Sequence, residues 1–144
     1  MNITSKSKYA VRALVELARR NPDTPVSLVL IAEARGIPAQ FLEQLFAALR
    51  RAGILQSFRG VHGGFSFNRP PDQITVLDVV EILDGPIEPA LCTTEDTCER
   101  RPICSVGDVW VQAKLSVEEV LSGVTIQDLA TRESSLTGTS MYYI

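Results

Sequence analysis

Three cysteines, Cys92, Cys98 and Cys104, are the residues of this chain with the most distinctive chemistry, and five residues separate each from the next. A six-residue step rotates a helix by about 600°, so the three thiols cannot share one helical face and a loop must bring them together. Structural zinc sites usually contain closely paired cysteines, which are absent here. Thiolates on an irregular loop suit an iron-sulfur cluster, of either the two-iron or the four-iron type. Three free thiols, one of them a redox sensor, are the alternative.

Length and composition indicate one domain with additional elements. The 144 residues, 45% of them hydrophobic, suffice for a buried core without disulfide bonds. No apolar run approaches the roughly 20 residues that cross a bilayer, so we expect a cytoplasmic protein without a membrane partner. The sequence contains no Ser-His-Asp, Cys-His or paired-carboxylate constellation, and its only histidine, His62, lies in a glycine-rich stretch. We therefore do not expect an enzyme.

Charge is distributed unevenly along the chain. Residues 1–69 contain ten basic and four acidic residues, a net charge of +6, whereas residues 70–144 contain four basic and thirteen acidic residues, a net charge of −9. The first part suits a phosphate backbone and the second repels it. The alternative is a solvated surface whose asymmetry is accidental.

Apolar spacing predicts a helix-turn-helix in the basic part. A first helix is expected from about Lys6 to Arg20. Ser27 is a candidate N-cap for a second helix that Gly36 ends, and Pro38 fits the first turn of a third helix. The apolar residues of that third helix form an inward stripe before Gly53: Phe41, Leu42, Leu45, Phe46 and Leu49.

A β-hairpin and further helices are predicted beyond this unit. The strands are 54–58 and 65–67, joined by a glycine-rich turn, and together they form a wing. Thr75 and Asp78 form a capping box for a helix to Leu83, and 87–102 has no clear periodicity. A helix over 105–121 has more apolar surface than one neighbour covers. Thr125 and Asp128 begin a short helix through Leu129, before a polar tail from Thr131.

A helix-turn-helix with a wing places its third helix in the major groove of DNA. Gln40, Glu43 and Gln44 are expected to face base edges, because Gln can bind adenine bidentately and Glu can accept from the cytosine amino group. Arg59 can enter the minor groove or bind phosphate. Further phosphates could be held by Ser5, Lys6, Lys8, Tyr9 and Ser57. Exposed polar residues without a DNA role are the alternative. The complete set of predicted DNA-contacting residues is Ser5, Lys6, Tyr9, Ser27, Gln40, Glu43, Gln44, Ser57, Arg59, Gly60, His62 and Gly63.

Several motifs together with the cysteines resemble the Rrf2 family of winged-helix transcription regulators. They are Thr4-Ser5-Lys6, Tyr9-Ala10-Val11, Ile31-Ala32-Glu33, Phe41-Leu42-Glu43-Gln44-Leu45, and Arg59-Gly60 before Gly63-Gly64. The resemblance extends from Asn2 to about Leu129. It implies a homodimer formed through the helix at 105–121, a cluster loop near that interface, and repression from partly palindromic double-stranded operators. Some members of this family hold an iron-sulfur cluster and others work without one.

The chain departs from the family at the fourth ligand of the cluster. Gly107 stands where some cluster-binding members have a histidine, and Lys8 stands where others supply an aspartate from the partner subunit. The fourth ligand is therefore unassigned: Asp108 is the first candidate, and the alternatives are an acidic residue of the loop (Glu95, Asp96 or Glu99), water or a small thiol. A dimeric regulator without a cluster, switched by thiol chemistry or by a protein partner, therefore remains the second hypothesis.

The expected architecture is mainly α. A winged helix-turn-helix DNA-binding domain with a small β-wing occupies 1–84, and a cysteine loop occupies 85–104. A long dimerisation helix and a short C-terminal helix occupy 105–130, and 131–144 is a tail.

Overall fold

The computed structural model describes residues 3–20, 23–89 and 105–142, with side chains up to residue 137. Six helices and a two-stranded antiparallel sheet lie in these ranges, and the mainly α winged-helix architecture is confirmed. The elements are α1 Ser5–Arg19, α2 Leu28–Arg35, α3 Ala39–Arg51, β1 Leu55–Phe58, β2 Gly64–Phe67, a 3-10 turn Pro71–Gln73, α4 Val76–Asp84, α5 Gly107–Ser122 and α6 Ile126–Tyr142.

Helix α1 lies at the centre of the fold and contacts α2, α3, α4 and α6. Thr4 caps it, because the Thr4 side chain accepts a hydrogen bond from the Lys6 amide. Leu14 and Leu17 are completely buried. Burial of a leucine side chain contributes about 1.5–3 kcal/mol, so this one face supplies much of the driving force for assembly.

The helix-turn-helix forms where the sequence predicted it. Gly36 ends α2 with φ of 63°, a left-handed conformation that glycine adopts without a steric cost. Pro38 then precedes α3 as its N-cap. Four of the five predicted inward residues of α3 are buried and Phe41 is half-buried: the buried ones are Leu42, Leu45, Phe46 and Leu49. The opposite face of α3 is consequently left to solvent.

The wing is held against the helices by backbone and aromatic contacts. Its strands pair in a register that runs from Leu55 opposite Phe67 to Phe58 opposite Gly64. Val26, just before α2, exchanges two 2.9 Å backbone hydrogen bonds with Phe65. The Phe65 ring also meets Phe46 of α3 edge-on, with 5.1 Å between ring centres. Recognition helix and wing therefore form one packed unit.

A short ladder joins the start of α4 to the junction between α5 and α6. The predicted capping box is confirmed, since Thr75 and Asp78 exchange side-chain to backbone hydrogen bonds of 3.0 and 3.1 Å. The Val76 amide donates to the Val124 carbonyl at 3.0 Å, and the Ile126 amide donates to the Ile74 carbonyl at 2.9 Å. The α5–α6 connection is thereby fixed to the body of the domain.

Helix α6 is longer than the sequence predicted. The capping box of Thr125 and Asp128 is confirmed, but the expectation of a short helix followed by a polar tail from Thr131 was wrong, because α6 continues to Tyr142. Serine, threonine and glycine favour helix weakly, yet packing and ion pairs can outweigh propensity. Glu133 pairs with Arg35, which stabilises the segment that the sequence assigned to the tail.

Helix α5 has none of its residues fully buried. Ala113, Val117 and Leu121 are half-buried, whereas other apolar residues of the helix are exposed. The exposed fractions are 57% for Val109, 42% for Trp110, 52% for Leu115 and 67% for Val120.

Among the described helices, none is long and apolar enough to span a membrane.

Candidate nucleic-acid interface

Three polar side chains form a row on the exposed face of α3. Gln40, Glu43 and Gln44 are all exposed, and the spacing of three and four residues places them on one side of the helix. They lie in its first two turns, where a recognition helix contacts base edges. We call these three residues the reading face.

Aromatic packing fixes α3 against α1. The rings of Tyr9 and Phe41 meet edge-on at 5.7 Å between ring centres. The guanidinium carbon of Arg12 lies 5.9 Å from the centre of the Tyr9 ring, and Arg12 donates a 3.0 Å hydrogen bond to the Arg35 carbonyl. The half-buried Tyr9 thus supports the recognition helix through its ring, a packing role alongside its predicted phosphate contact.

The wing turn presents the predicted arginine and histidine to solvent. Arg59, Gly60 and His62 are exposed. The Gly63 amide donates to the Gly60 carbonyl at 3.0 Å, and a Cβ atom at Gly63 would overlap the backbone carbonyl of Phe58. Glycine at Gly63 therefore permits a tight turn that a larger residue would open.

Arg50 is a basic residue of this surface that the predicted set lacks. It is exposed in the last turn of α3 and donates a 3.1 Å hydrogen bond to the Ser57 hydroxyl on β1. Ser57, a predicted phosphate contact, is thus already bonded to a cation. The sequence could have identified Arg50, because it is an arginine in the last turn of the expected recognition helix and close to the first wing strand.

The N-terminus of α1 is anchored by the carboxylate of Asp84, the last residue of α4. The Thr4 amide donates to Asp84 Oδ2 at 3.0 Å, and the Thr4 hydroxyl donates to Oδ1 at 2.6 Å. The hydroxyl of the buried Ser7 also donates to Oδ2. These bonds leave Ser5 and Lys6 exposed in the first turn, where an amide-rich helix terminus favours an anion.

Ser27 precedes α2, but its side chain makes no capping hydrogen bond to that helix. It is half-buried and lines an open cavity of about 520 Å³ beside the wing, together with Arg20, Leu30 and His62. The structure thus places Ser27 near the wing turn.

The predicted ligands Cys92, Cys98 and Cys104 lie outside the described residues. Asp108 is described, and it is exposed in the first turn of α5. His62 lies in the wing turn between β1 and β2. Within the described part of the chain, no group of three histidine, cysteine or acidic side chains is placed to hold a metal ion.

Comparison with known proteins shows the family of this chain. Residues 3–132 match the Rrf2 family, described as iron-dependent transcriptional regulators. The chain is 33% identical to the HTH-type transcriptional regulator CymR of Bacillus subtilis over 144 residues, which is all of both chains. The solved structure of CymR, the global cysteine regulator of B. subtilis, has a TM-score of 0.77, and the match covers 92% of this chain and 98% of that chain. The solved structure of T. potens IscR has a TM-score of 0.74 at 34% identity, and the match covers 92% of this chain and 88% of that chain.

The winged-helix fold and these relatives, which are transcription regulators and not enzymes, define a DNA-binding transcription regulator. The chain belongs to the Rrf2 family. The family expected from the sequence motifs is thereby confirmed.

Asp84→Asn should destabilise the protein in a pH-dependent manner. Partial burial raises the pKa of Asp84, but hydrogen bonds from Ser7 and Thr4 and the charge of Lys6 outweigh burial, so the pKa lies below its ordinary value. The ionised carboxylate therefore contributes its full stability above the ordinary pKa of about 3.9, and this contribution is lost as the pH falls through the lower folded-state pKa. We expect the variant to lose about 1 kcal/mol near neutral pH.

Urea unfolding between about pH 7 and about pH 3 measures the difference in the free energy of unfolding between wild type and Asp84→Asn. This difference should become smaller below about pH 4, where the carboxylate is protonated. Asp72→Asn, on the exposed 3-10 turn, is the control and should change the free energy of unfolding by less than about 0.5 kcal/mol. A wild-type to Asp84→Asn difference that stays constant over this range would rule out the ionised carboxylate as the anchor.

Proposed function

We propose that the protein represses transcription in the cytoplasm by binding a partly palindromic operator as a homodimer. The observation that carries this proposal is the row of exposed polar side chains on α3, held beside a wing that presents Arg59. In the complex, α3 would lie in the major groove and the wing would lie over the adjacent minor groove or backbone.

The residue types of the reading face suit direct readout. Gln40 and Gln44 can each donate to and accept from adenine, and Glu43 can accept from the cytosine amino group. Ser5, Lys6 and Arg50 would bind phosphates on either side and fix the register without reading sequence. The charge of +6 over residues 1–69 supports this orientation.

Dimerisation is supported by the exposed apolar side chains of α5. Val109, Trp110 and Val120 are each more than two-fifths exposed, and their helix packs mainly on α4. Beside it lies an open cavity of about 430 Å³, whose lining consists of Ile3, Val11, Val76, Val80 and Leu121 together with Ser7, Lys8 and Arg12. A second copy of α5 would cover such a surface in a two-fold symmetric interface.

We further propose that an iron-sulfur cluster on Cys92, Cys98 and Cys104 sets operator affinity, with Asp108 as the fourth ligand. Three thiolates and a carboxylate are a donor set that iron accepts, and Asp108 follows Cys104 by four residues at an exposed helix start. When bound, the cluster would supply sensitivity to redox state, nitric oxide or iron-sulfur supply. The description of the family as iron-dependent regulators supports the proposed cluster.

Asp84 connects the cysteine loop to the DNA-binding surface. It ends α4 immediately before that loop, and it holds Thr4 and Ser7 at the start of α1. A rearrangement of the loop that moved Asp84 would therefore move Ser5 and Lys6. This coupling between two sites applies to a cluster and to a thiol switch alike.

A cluster-free regulator switched by cysteine oxidation or by a protein partner is the second candidate. It is favoured by the similarity over the whole chain to CymR, whose solved structure is titled the global cysteine regulator. The same three thiols would then act through oxidation.

Arg59→Ala should weaken operator binding by roughly 10-fold or more, because one cation at the minor groove or phosphate backbone is lost. Fluorescence anisotropy on a duplex selected from a random library measures the affinity, at several salt concentrations. Arg132→Ala, an exposed arginine of α6, removes the same charge and should change affinity by less than about twofold. Equal effects of the two substitutions would contradict the wing assignment.

Protein purified without oxygen should absorb near 400 nm and contain iron and sulfide, and Cys92→Ala should lose both signals. Iron content distinguishes the two-iron from the four-iron type. His62→Ala serves as the control and should retain the absorbance, since His62 lies in the wing turn. A colourless wild-type protein that resists reconstitution with iron and sulfide would exclude the cluster and favour the thiol switch.

A further inference from the structure

Arg35 joins three helices through its guanidinium group. It is the last residue of α2, and its side chain is only 13% exposed. Its Nε donates to Glu16 of α1 at 3.1 Å. Its Nη1 and Nη2 each donate at 3.0 Å to one carboxylate oxygen of Glu133 on α6. We call the Arg35–Glu133 pair the clamp.

Neighbouring groups hold both ends of the clamp in place. Arg20 donates to the second oxygen of Glu16 at 2.9 Å, and Arg19 lies 3.7 Å from the Glu133 carboxylate. Burial lowers the pKa of Arg35, but hydrogen bonds and charges from Glu133 and Glu16 outweigh burial, so the pKa lies above its ordinary value. A permanently charged arginine bound bidentately fixes direction as well as distance.

The clamp is one of several contacts that hold α6 against the rest of the domain. Another is the ladder at Thr75 and Thr125, where α6 begins. Glu133 lies eight residues further on, about 12 Å along the helix axis. Packing on α1, where Ala130 is buried, holds the body of α6, and the clamp adds a directed bond between α6 and the last residue of α2.

A contact path continues from the clamp to the recognition helix. The backbone carbonyl of Arg35 accepts from Arg12, which lies over the Tyr9 ring, and Tyr9 packs on Phe41 of α3. At its other end, α6 is joined to α5 by the short connection Gly123 to Thr125. The clamp therefore lies between the helix that reads DNA and the helix proposed to form the dimer.

We infer that Glu133 is a positioning residue that holds Arg35 and thereby fixes the recognition helix relative to α5. In a homodimer this geometry sets the separation of the two recognition helices, and hence the half-site spacing that the protein accepts. The inference rests on the proposed function, because it requires a dimer that binds two half-sites.

Glu133→Gln tests the clamp, because it removes the charge and leaves the size nearly unchanged. The probes are a duplex selected from a random library, the same duplex with a single base pair inserted or removed at its centre, and a duplex with one half-site. We expect affinity for the selected duplex to fall by on the order of tenfold, the penalty for altered spacing to shrink, and half-site binding to stay within about twofold of wild type.

Glu81→Gln, an exposed carboxylate on α4, is the charge-matched control and should keep the wild-type spacing profile. Circular dichroism selects a temperature at which every variant is folded. If Glu133→Gln does not fold, Arg35→Lys carries the same prediction, because lysine keeps the charge but cannot form the bidentate pair.

A wild-type spacing penalty in Glu133→Gln would overturn the inference. Equal weakening on all duplexes, half-site included, would also overturn it, because that pattern indicates only loss of folded protein. Failure of the proposed function has a different signature: the wild-type protein itself would bind no selected duplex, or would be indifferent to spacing, and the inference would fall with it.

Discussion

Helix α1 buries Leu14 and Leu17 completely while contacting α2, α3, α4 and α6, so these four helices depend on this one packed face for their mutual orientation. Polar residues of α1 and its N-cap also hold neighbouring elements in place. Thr4 and Ser7 bind Asp84 next to the cysteine loop, Tyr9 supports α3, and Glu16 binds Arg35. Hydrogen bonds from Asp84 thus join the end of α4 directly to the start of α1, next to the DNA-binding surface.

Local sequence signals predicted the DNA-binding unit well because they act over a few residues. Gly36, Pro38 and the capping boxes at Thr75 and Thr125 fix helix ends by backbone conformation and neighbouring hydrogen bonds. The length of α6 could not be predicted in this way. Its polar second half is held by Arg35, which lies 98 residues away from Glu133 in the chain, and no local pattern contains that pairing.

The candidate interface was predictable in type but not in its internal bonding. Reading-face residues follow from helix spacing, and Arg59 follows from its place in a glycine-rich turn. That Ser57 is bonded to Arg50, and that Tyr9 packs on Phe41, depends on contacts between separate elements. The three cysteines lie outside the described residues, so their ligand role stays a prediction drawn from spacing and family resemblance.

Hydroxyl-radical footprinting of the protein on a duplex selected from a random library tests most directly whether a dimer presents two copies of α3 and the wing to DNA. Two protected regions related by two-fold symmetry are predicted, with centres a whole number of helical turns apart, about 10 base pairs or a multiple of that. A single asymmetric protected region at saturating protein, or no protection at all, would contradict the account.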